Sequence, residues 1–307
     1  MKDKDEFLKD KGITVKFNKL EEQNPNLWDE LCKIAKNFDQ QKSYMEGTMQ
    51  SFIKDIGQSN HIHSIRYRIK DTDSLIVKII EKKFDNATSD SKYNNITVDN
   101  YYQIITDLIG VRIIIRYRHE WQYIHKLIWD KYHKDDRKYI NDYENDYFSG
   151  RDIFIAEKPI VYYRHGENKK NYEVFGRDTF SIKLSDIGYS SIHYIINANG
   201  TYIELQVRTI YDEAWSECDH DFVYKLNASQ KKLVLQRCSK MLSDVTGVAD
   251  TLSTFIKDYY NDQIDSESSN EESTSINNPT IQQKTKPTPQ RVVGIGINKV
   301  SDVFDMF

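Results

Sequence analysis

Apolar residues recur at helical spacing in the N-terminal part of the chain. A helix is predicted over residues 25 to 57 on two successive patterns, Leu27, Leu31, Ile34 and Ala35, followed by Met45, Met49, Phe52 and Ile53. We therefore assign residues 1–54 to an N-terminal helical region. A second amphipathic segment, DSLIVKIIEKKF at 73–84, begins with Asp and Ser, as a capped helix does.

The pattern changes to that of strands in the middle of the chain. In IITDLIGVRIIIRY, at 104–117, the first half can close a helix, and GVRIIIRY is rich in β-branched residues typical of a buried strand. Three short apolar runs follow further on, IFIAEKPIVYY, TFSIKL and SIHYIINA. The last of them leads through NANG into TYIELQV, which predicts a hairpin. These segments predict a mixed β-sheet of about five strands.

Helical spacing returns at the start of 120–150 and again from Asp212 to Tyr259. The order of elements is helices, then strands, then closing helices. This order favours an α+β fold in which helices flank the mixed sheet.

Composition changes abruptly after Tyr260. Residues 261–290 are rich in Ser, Asn, Gln, Thr and Pro and lack aromatic residues, which predicts a disordered linker. Residues 291–307, RVVGIGINKVSDVFDMF, are apolar again. We expect either a C-terminal peptide that docks on this or another protein, or a weakly ordered tail.

Charge and cysteine content narrow the class of protein. The net charge of −4 over 307 residues argues against a protein that coats nucleic acid over its whole surface, so a phosphate site must be a local basic patch. Three cysteines with no CxxC pair favour a reducing compartment. No apolar run approaches the length of a membrane span, and we expect a cytoplasmic protein with no membrane partner.

Basic residues gather around the start of the helix predicted at 73–84. Arg68 and Lys70 alternate along an extended segment, and Ser74 and Lys78 lie four residues apart on one helical face. Cations near a helix N-terminus can bind a polyphosphate. On spacing alone, however, basic residues before a helix are more often a solvated surface.

An acid stands directly before the predicted strand GVRIIIRY. Asp107 is followed by Gly110, which permits a tight turn, and by Arg112. A carboxylate at the edge of a sheet is a suitable ligand for Mg²⁺. The alternative is an aspartate that ends a helix before a turn glycine, and spacing does not separate the two.

A third group of polar residues extends from Gly188 to Thr209. Glu204, Gln206 and Arg208 alternate along TYIELQVRT and share one face of a strand whose other face is apolar. Such a face can form the floor of a binding site, with glutamate as a general base and arginine as a phosphate ligand. An ordinary half-exposed strand has the same pattern.

Taken together, these segments resemble the synthetase domain of the RelA/SpoT family, which makes (p)ppGpp. The resemblance is carried by five segments in family order over roughly residues 55 to 230: RIKDTDSLIVK, DLIGVRI, GYSSIHY, IELQVRT and the W-x-E-x-D-H-x-x-x-Y run from Trp215 to Tyr224. It implies a nucleotidyltransferase-like synthetase domain at 55–260. The stretch between Arg116 and Gly188 is longer than the family usually has, so an insertion is expected at about 120–175.

The resemblance also implies a role for each matching residue. Arg68 and Arg112 would stack on the adenine of ATP, and Lys70, Ser74 and Lys78 would hold its phosphates. Asp107 and Glu204 would bind Mg²⁺, and Glu204 would deprotonate the 3′-hydroxyl of the acceptor. The acceptor, GTP or GDP, would be contacted by the set Tyr189, His193, Gln206, Arg208, Arg177 and Lys183.

The sequence departs from the family pattern on the acceptor side. Ser190 stands where an arginine usually follows the stacking tyrosine, and Ser185 stands in place of a lysine, so Arg177 and Lys183 are the nearest cations. Asp219 replaces a glutamate in the last segment. These departures leave a second acceptor open, the 3′ end of tRNA, as in the toxic small synthetases that the chain also resembles.

A third hypothesis assigns the chain to a different class of protein, one without catalytic activity. In it the domain is a catalytically silent nucleotide-binding module, and the C-terminal tail binds an antitoxin or another partner. The presence of Asp107, Glu204 and the Arg68–Lys70 pair argues against it. The family resemblance makes a homo-oligomer reasonable.

Overall fold

The computed structural model describes residues 3–87, 91–134, 153–176, 179–224 and 233–274, with side chains described up to Ile264 except at Tyr224. The helices are α1 (Lys4–Asp10), α2 (Thr14–Glu21), α3 (Leu27–Ile56), α4 (Thr72–Asp85), α5 (Tyr101–Ile104), α6 (Trp121–Tyr132), α7 (Ile210–Asp219) and α8 (Leu233–Thr274). The strands are β1 (Ser64–Ile69), β2 (Ile109–Ile115), β3 (Ile153–Ile155), β4 (Ile160–Arg164), β5 (Ser181–Ser185), β6 (Ser191–Ala198) and β7 (Thr201–Thr209). Residues 1–259 form one compact unit, and the described part of the second unit, which begins at Tyr260, is helical.

The strands form one mixed sheet, which confirms the predicted α+β class. The order is β1-β2-β7-β6-β4-β5, and β3 pairs with β6 beyond the end of β4. The pairs β2–β7 and β4–β5 are parallel, and the other pairs are antiparallel.

The sheet of the described residues has seven strands, where about five were predicted. One additional strand is β1, an exposed to half-buried strand at the edge of the sheet, in a stretch that the sequence predicted only to be extended. The other arises because the run IFIAEKPIVYY divides into β3 and β4 before Pro159, and a proline has no N–H to donate to a strand ladder.

The predicted hairpin is confirmed between β6 and β7. Ala198 pairs with Thr201, so the connection has two residues, Asn199 and Gly200. Both have positive φ, 55° and 87°, as the turn of a tight hairpin requires. The hairpin sets β6 and β7 in register beside β2.

The apolar face of the sheet packs against the N-terminal helices. Helix α3 covers the range predicted for it and buries nine residues along one side, Leu27, Leu31, Ile34, Ala35, Phe38, Met45, Met49, Phe52 and Ile56. These join one core with the inward residues of β2 and β7, such as Val111 and Leu205. Helix α4 begins at Thr72, because the Asp71 side chain accepts a hydrogen bond from the N–H of Ser74.

The regions predicted as insertion and linker are partly described. Helix α6 and the strands β3 and β4 lie within the range 120–175 and contribute to the fold, while its charged stretch 135–152 lies outside the described residues. Residues 261–274 of the predicted linker are helical, as the last part of α8. The remainder of the linker and the tail at 291–307 lie outside the described residues.

Two expectations from composition can be compared with the structure. Cys32, Cys218 and Cys238 are free. Across the described ranges, the structure contains no helix of the length and apolarity needed to cross a membrane.

A group of buried ionic side chains joins the sheet to the helices that follow it. This charge cluster consists of Arg118, Arg164, Glu167, Asp212 and Asp250. Asp212 lies between the two guanidinium groups, and Asp250 of α8 is fully buried against Arg118. Because buried charges are costly unless they are paired, each of these residues depends on its partners.

We expect the substitution Asp212→Asn to destabilise the protein by about 3 to 5 kcal/mol. The amide keeps the size of the side chain but removes the negative charge between Arg118 and Arg164, two buried cations. The free energy of unfolding in urea measures the effect.

The matched control is Asp130→Asn, which breaks the solvent-exposed Lys126–Asp130 pair of α6. We expect it to change the free energy of unfolding by less than about 1 kcal/mol. If the two substitutions lowered the free energy of unfolding equally, the charge of Asp212 would not be what stabilises the cluster.

Candidate active site

One face of the sheet carries a row of polar side chains on neighbouring strands. The row consists of Arg66, Arg68, Arg112, Glu204, Gln206 and His193. It forms because residues that are directly paired in adjacent strands point to the same side of a sheet. On β2 and β7, Gly110 pairs with Glu204, and Arg112 pairs with Gln206.

A cleft of about 310 Å³ lies over one end of this row. It is lined by side chains from three strands and from the end of α7, namely Arg66, Tyr67, Arg68, Arg112, Glu204, Gln206, Glu217, His220 and Asp221. The side chain of Arg68 lies across Gly110, 3.5 Å from where a β-carbon at position 110 would stand.

Two carboxylates of α7 hold the arginines of the cleft. Arg112 donates to Glu213 at 3.2 Å and also pairs with Glu217, and Arg66 pairs with both carboxylates at 3.2 Å. Burial works against the charge of Arg112, but the carboxylates raise its pKa. Arg112 is thus a fixed, fully charged guanidinium in the wall of the cleft.

Asp107 lies between two lysines where the chain enters β2. Its Oδ2 accepts from Lys70 Nζ at 2.9 Å, and its Oδ1 is 2.8 Å from Lys78 Nζ. Burial favours the neutral acid, but the charges of Lys78 and Lys70 outweigh burial and lower the pKa of Asp107. These three predicted residues therefore meet, and the carboxyl group is ionised at neutral pH.

Glu204 lies at the centre of a hydrogen-bonded series on the sheet. Its Oε1 is 3.5 Å from His193 Nδ1, and His193 Nε2 is 2.6 Å from the hydroxyl of Tyr189. Gln206 Nε2 donates to the other oxygen of Glu204 at 3.1 Å. The series orients the carboxylate from two sides.

The pKa of Glu204 is shifted by His193 on one side and by Asp107 and Lys78 on the other. Burial raises its pKa, the contact with His193 and the charge of Lys78 lower it, and the charge of Asp107 raises it. The net shift is downward. Asp107 stands just before β2, and Gly110 of β2 pairs with Glu204, so the two acids that the sequence analysis paired lie near the same end of these neighbouring strands.

Arg208 differs from the exposed phosphate ligand that its alternation suggested. It is only 4% exposed. Its guanidinium donates to Glu213 at 3.1 Å, to Ser216 at 2.6 Å, to the Tyr189 hydroxyl at 2.8 Å and to Gln206. Arg208 is covered because α7 begins directly after β7, so it supports Tyr189 from below and does not face the cleft.

The other predicted residues occupy different positions around the site. Ser74 lies in the first turn of α4 with its hydroxyl bonded to Asp71. Lys183 is exposed on β5, with Nζ 6.0 Å from the centre of the Tyr162 ring. Arg177 lies outside the described residues.

Several residues of the site were not found in the sequence. Glu213 and Glu217 lie four apart within the segment after β7, a spacing that places both on one face of a helix. This spacing could have indicated partners for the arginines of the cleft. No comparable signal indicated Arg118, whose partners are distant in the sequence.

The carboxylates of the described residues do not form a ready-made metal site. No group of three or more His, Cys, Asp or Glu side chains in the described ranges is arranged to hold a metal ion. Asp107 and Glu204 together offer two carboxylates. This number suits a cation that takes its remaining ligands from water and a bound polyphosphate, as Mg²⁺ commonly does.

Comparison with known proteins agrees with the resemblance seen in the sequence. The family model for a region found in RelA and SpoT proteins matches residues 67–229, just over half of the chain. The match includes all the residues predicted for the site, from Arg68 to Arg208. No curated protein sequence matches the chain significantly.

Solved structures with a related arrangement have low sequence identity. A GTP pyrophosphokinase family protein from Streptococcus pneumoniae is 14% identical, with a TM-score of 0.44, over 77% of this chain and 95% of that chain. Small alarmone synthetase 1 from Bacillus subtilis is 13% identical, with a TM-score of 0.42, over 77% and 99% of the two chains. Small alarmone synthetase 2 from Bacillus subtilis is 16% identical, with a TM-score of 0.43, over 76% and 99%.

We expect the substitution Lys78→Met to raise the pKa of Asp107. The cation that most strongly lowers this pKa is removed, while the burial that raises it remains. Titration of the carboxyl carbon by NMR measures the shift.

Lys82→Met is the matched control, because Lys82 lies one turn further along α4 over the ring of Tyr93, at 5.3 Å. It should leave the pKa of Asp107 unchanged. An unchanged pKa in the Lys78 variant would show that the Lys78–Asp107 contact does not exist in solution.

Proposed function

The chain belongs to the RelA/SpoT family, and on that premise we propose that it transfers the β,γ-pyrophosphate of ATP to the ribose 3′-hydroxyl of GTP or GDP. The products are AMP and pppGpp or ppGpp. The observation that carries the proposal is that the group of Asp107, Lys70 and Lys78 stands just before β2, whose Gly110 pairs with Glu204 beside an arginine-lined cleft.

ATP occupies the cleft between β1 and α7 in this proposal. The guanidinium groups of Arg68 and Arg112 stack on the adenine, since arginine is planar and weakly hydrated. The geometry that supports this is the position of both side chains in the lining of one cleft. Lys70, Lys78 and the first turn of α4, which includes Ser74, bind the phosphates at the end of the cleft.

Glu204 acts as the general base. Its lowered pKa keeps it ionised at neutral pH and ready to accept a proton. It takes the proton of the acceptor 3′-hydroxyl, whose oxygen forms a bond to the β-phosphorus of ATP. The bond from that phosphorus to the bridging α,β-oxygen breaks, and the oxygen leaves with AMP. His193 and Gln206 hold the carboxylate in place through the contacts described above.

Asp107 and Glu204 would hold Mg²⁺ together with phosphate oxygens of ATP. Bound there, the ion neutralises charge that develops on the phosphates during transfer. Lys70 and Lys78 contact the Asp107 carboxylate directly, so this carboxylate also fixes the positions of the two cations that neutralise the phosphates.

The acceptor nucleotide lies along β6 and β7, with its base on Tyr189. Arg208 and His193 fix the hydroxyl of this ring from two sides. Most arginines near the acceptor side are buried in ion pairs, as Arg208 and the charge cluster show. This scarcity of available cations favours the 3′ end of tRNA as the alternative acceptor.

A transfer assay with labelled ATP tests the proposal. The protein is incubated with γ-labelled ATP and Mg²⁺, and with GTP, GDP or bulk tRNA. Label in ppGpp or pppGpp supports the first acceptor class, and label on tRNA supports the second. Binding of ATP with no transfer to any acceptor would identify a silent nucleotide-binding module.

We expect Glu204→Gln to lower turnover at least about a hundredfold, the low end of the effect of losing a general base. The amide keeps the size of the side chain but cannot accept the proton. ATP affinity should stay largely intact, because the arginines of the cleft, Lys70, Lys78 and the carboxylate of Asp107 all remain in place. Initial rates and equilibrium ATP binding measure the two effects.

The control is Glu81→Gln, which alters an exposed carboxylate paired with Lys16. It should leave turnover near that of the wild type. Turnover near wild type in the Glu204 variant would remove Glu204 from the mechanism.

A further inference from the structure

The phosphates of an acceptor nucleotide need cations near Tyr189, and few described cations there are available. Arg208 lies beneath the ring, where it is buried and its two terminal nitrogens donate to protein atoms. Arg118 and Arg164 are held by the carboxylates of the charge cluster. Lys183 is exposed and lies over the ring of Tyr162, which contacts Tyr189, and Lys240, on helix α8, lies near Gly188.

Helix α8 contacts the turn that carries Tyr189. Gly188 has φ of +88°, and its carbonyl oxygen accepts a hydrogen bond from Ser243 Oγ at 2.8 Å. A β-carbon on Gly188 would stand 2.2 Å from Ser243 Oγ and 3.5 Å from Lys240 Nζ. The ammonium group of Lys240 therefore lies against the residue that precedes Tyr189.

The contacts of α8 with α7 fix Lys240 on this side of the helix. Trp215 Nε1 donates to the carbonyl oxygen of Ser239 at 2.9 Å, and Ser239 Oγ donates to Asp219. The Trp215 ring is also 6.3 Å from the Tyr189 ring, centre to centre. The residue immediately before Lys240 is thus anchored beside the aromatic residues of the acceptor side.

The ammonium group of Lys240 has N–H donors that no described residue accepts. Its Nζ is buried and makes no hydrogen bond to the residues that the structure describes. Its ion pair is to Asp244, one turn along the same helix, at 3.3 Å, and that carboxylate is 58% exposed. An ammonium group has three N–H donors, so one such partner leaves it able to bind an anion.

We propose that Lys240 binds the 5′-polyphosphate of the acceptor nucleotide. The proposal rests on the proposed function, in which Tyr189 holds the base of that nucleotide. With the base on Tyr189, a phosphate chain that passes the Gly188 turn meets the ammonium group of Lys240. Lys240 releases Asp244 to solvent and donates to phosphate oxygens, which gives a charge-assisted hydrogen bond to a doubly charged group.

The test compares acceptors with and without phosphates in the variant Lys240→Met, which keeps the length of the side chain but removes its charge. We expect KM for GTP and GDP to rise about tenfold or more, the size of one charge-assisted hydrogen bond. KM for ATP and affinity for guanosine, which has no phosphate, should change less than about twofold. Lys240→Arg should restore most of the GTP affinity.

A matched control removes the same type of ion pair elsewhere. Lys126 and Asp130 form an i, i+4 pair on the exposed side of α6, as Lys240 and Asp244 do on α8. Lys126→Met should leave KM for GTP, GDP and ATP and the affinity for guanosine unchanged. Unchanged KM for ATP in the Lys240 variant also shows that the variant is folded.

The outcomes separate this proposal from the proposed function. If the wild-type protein transfers nothing to GTP or GDP, or only to tRNA, the proposed nucleotide acceptor is wrong and this inference falls with it. If the wild type is active and Lys240→Met has the KM of the wild type for GTP, the role of Lys240 alone is wrong. Equal losses for GTP and guanosine would overturn it too, because they would indicate a purely structural role.

Discussion

The parallel pairing of β2 with β7 is the constraint on which the site depends. It sets Gly110 beside Glu204 and Arg112 beside Gln206, and it brings Asp107, just before β2, into electrostatic range of Glu204. Side chains alternate between the faces of a strand, so a slip of one residue would turn this polar row into the core. The buried apolar residues on the opposite face hold the register against such a slip.

Much of the site could be predicted because its parts have strong local signals. The NANG turn requires positive φ at two residues, which identifies the β6–β7 hairpin and hence the face of Glu204. The β-branched run after Gly110 identifies β2, and Asp107 stands directly before it. In each case a few consecutive residues decide the backbone conformation, so it can be predicted from the local sequence.

The remainder depends on contacts between distant segments. Alternation placed Arg208 correctly on the polar face, but its exposure was decided by α7, which folds back over the end of β7 through the capping box of Thr209 and Asp212. The charge cluster draws on four separate segments between residues 118 and 250, and no spacing rule connects them. Likewise, helical periodicity predicted a helix around Lys240 but not which side of it meets Gly188.

Glu213 connects the arginine-lined cleft to the region beneath Tyr189. This one carboxylate accepts hydrogen bonds from Arg66 and Arg112 in the cleft and from Arg208 beneath Tyr189. Two ligand positions that share a single anion are not energetically independent, because a cation drawn away on one side leaves more negative charge for the cation on the other. Thermodynamic linkage makes such an influence mutual, so in the proposed function the ATP and acceptor sites would each change the affinity of the other through Glu213.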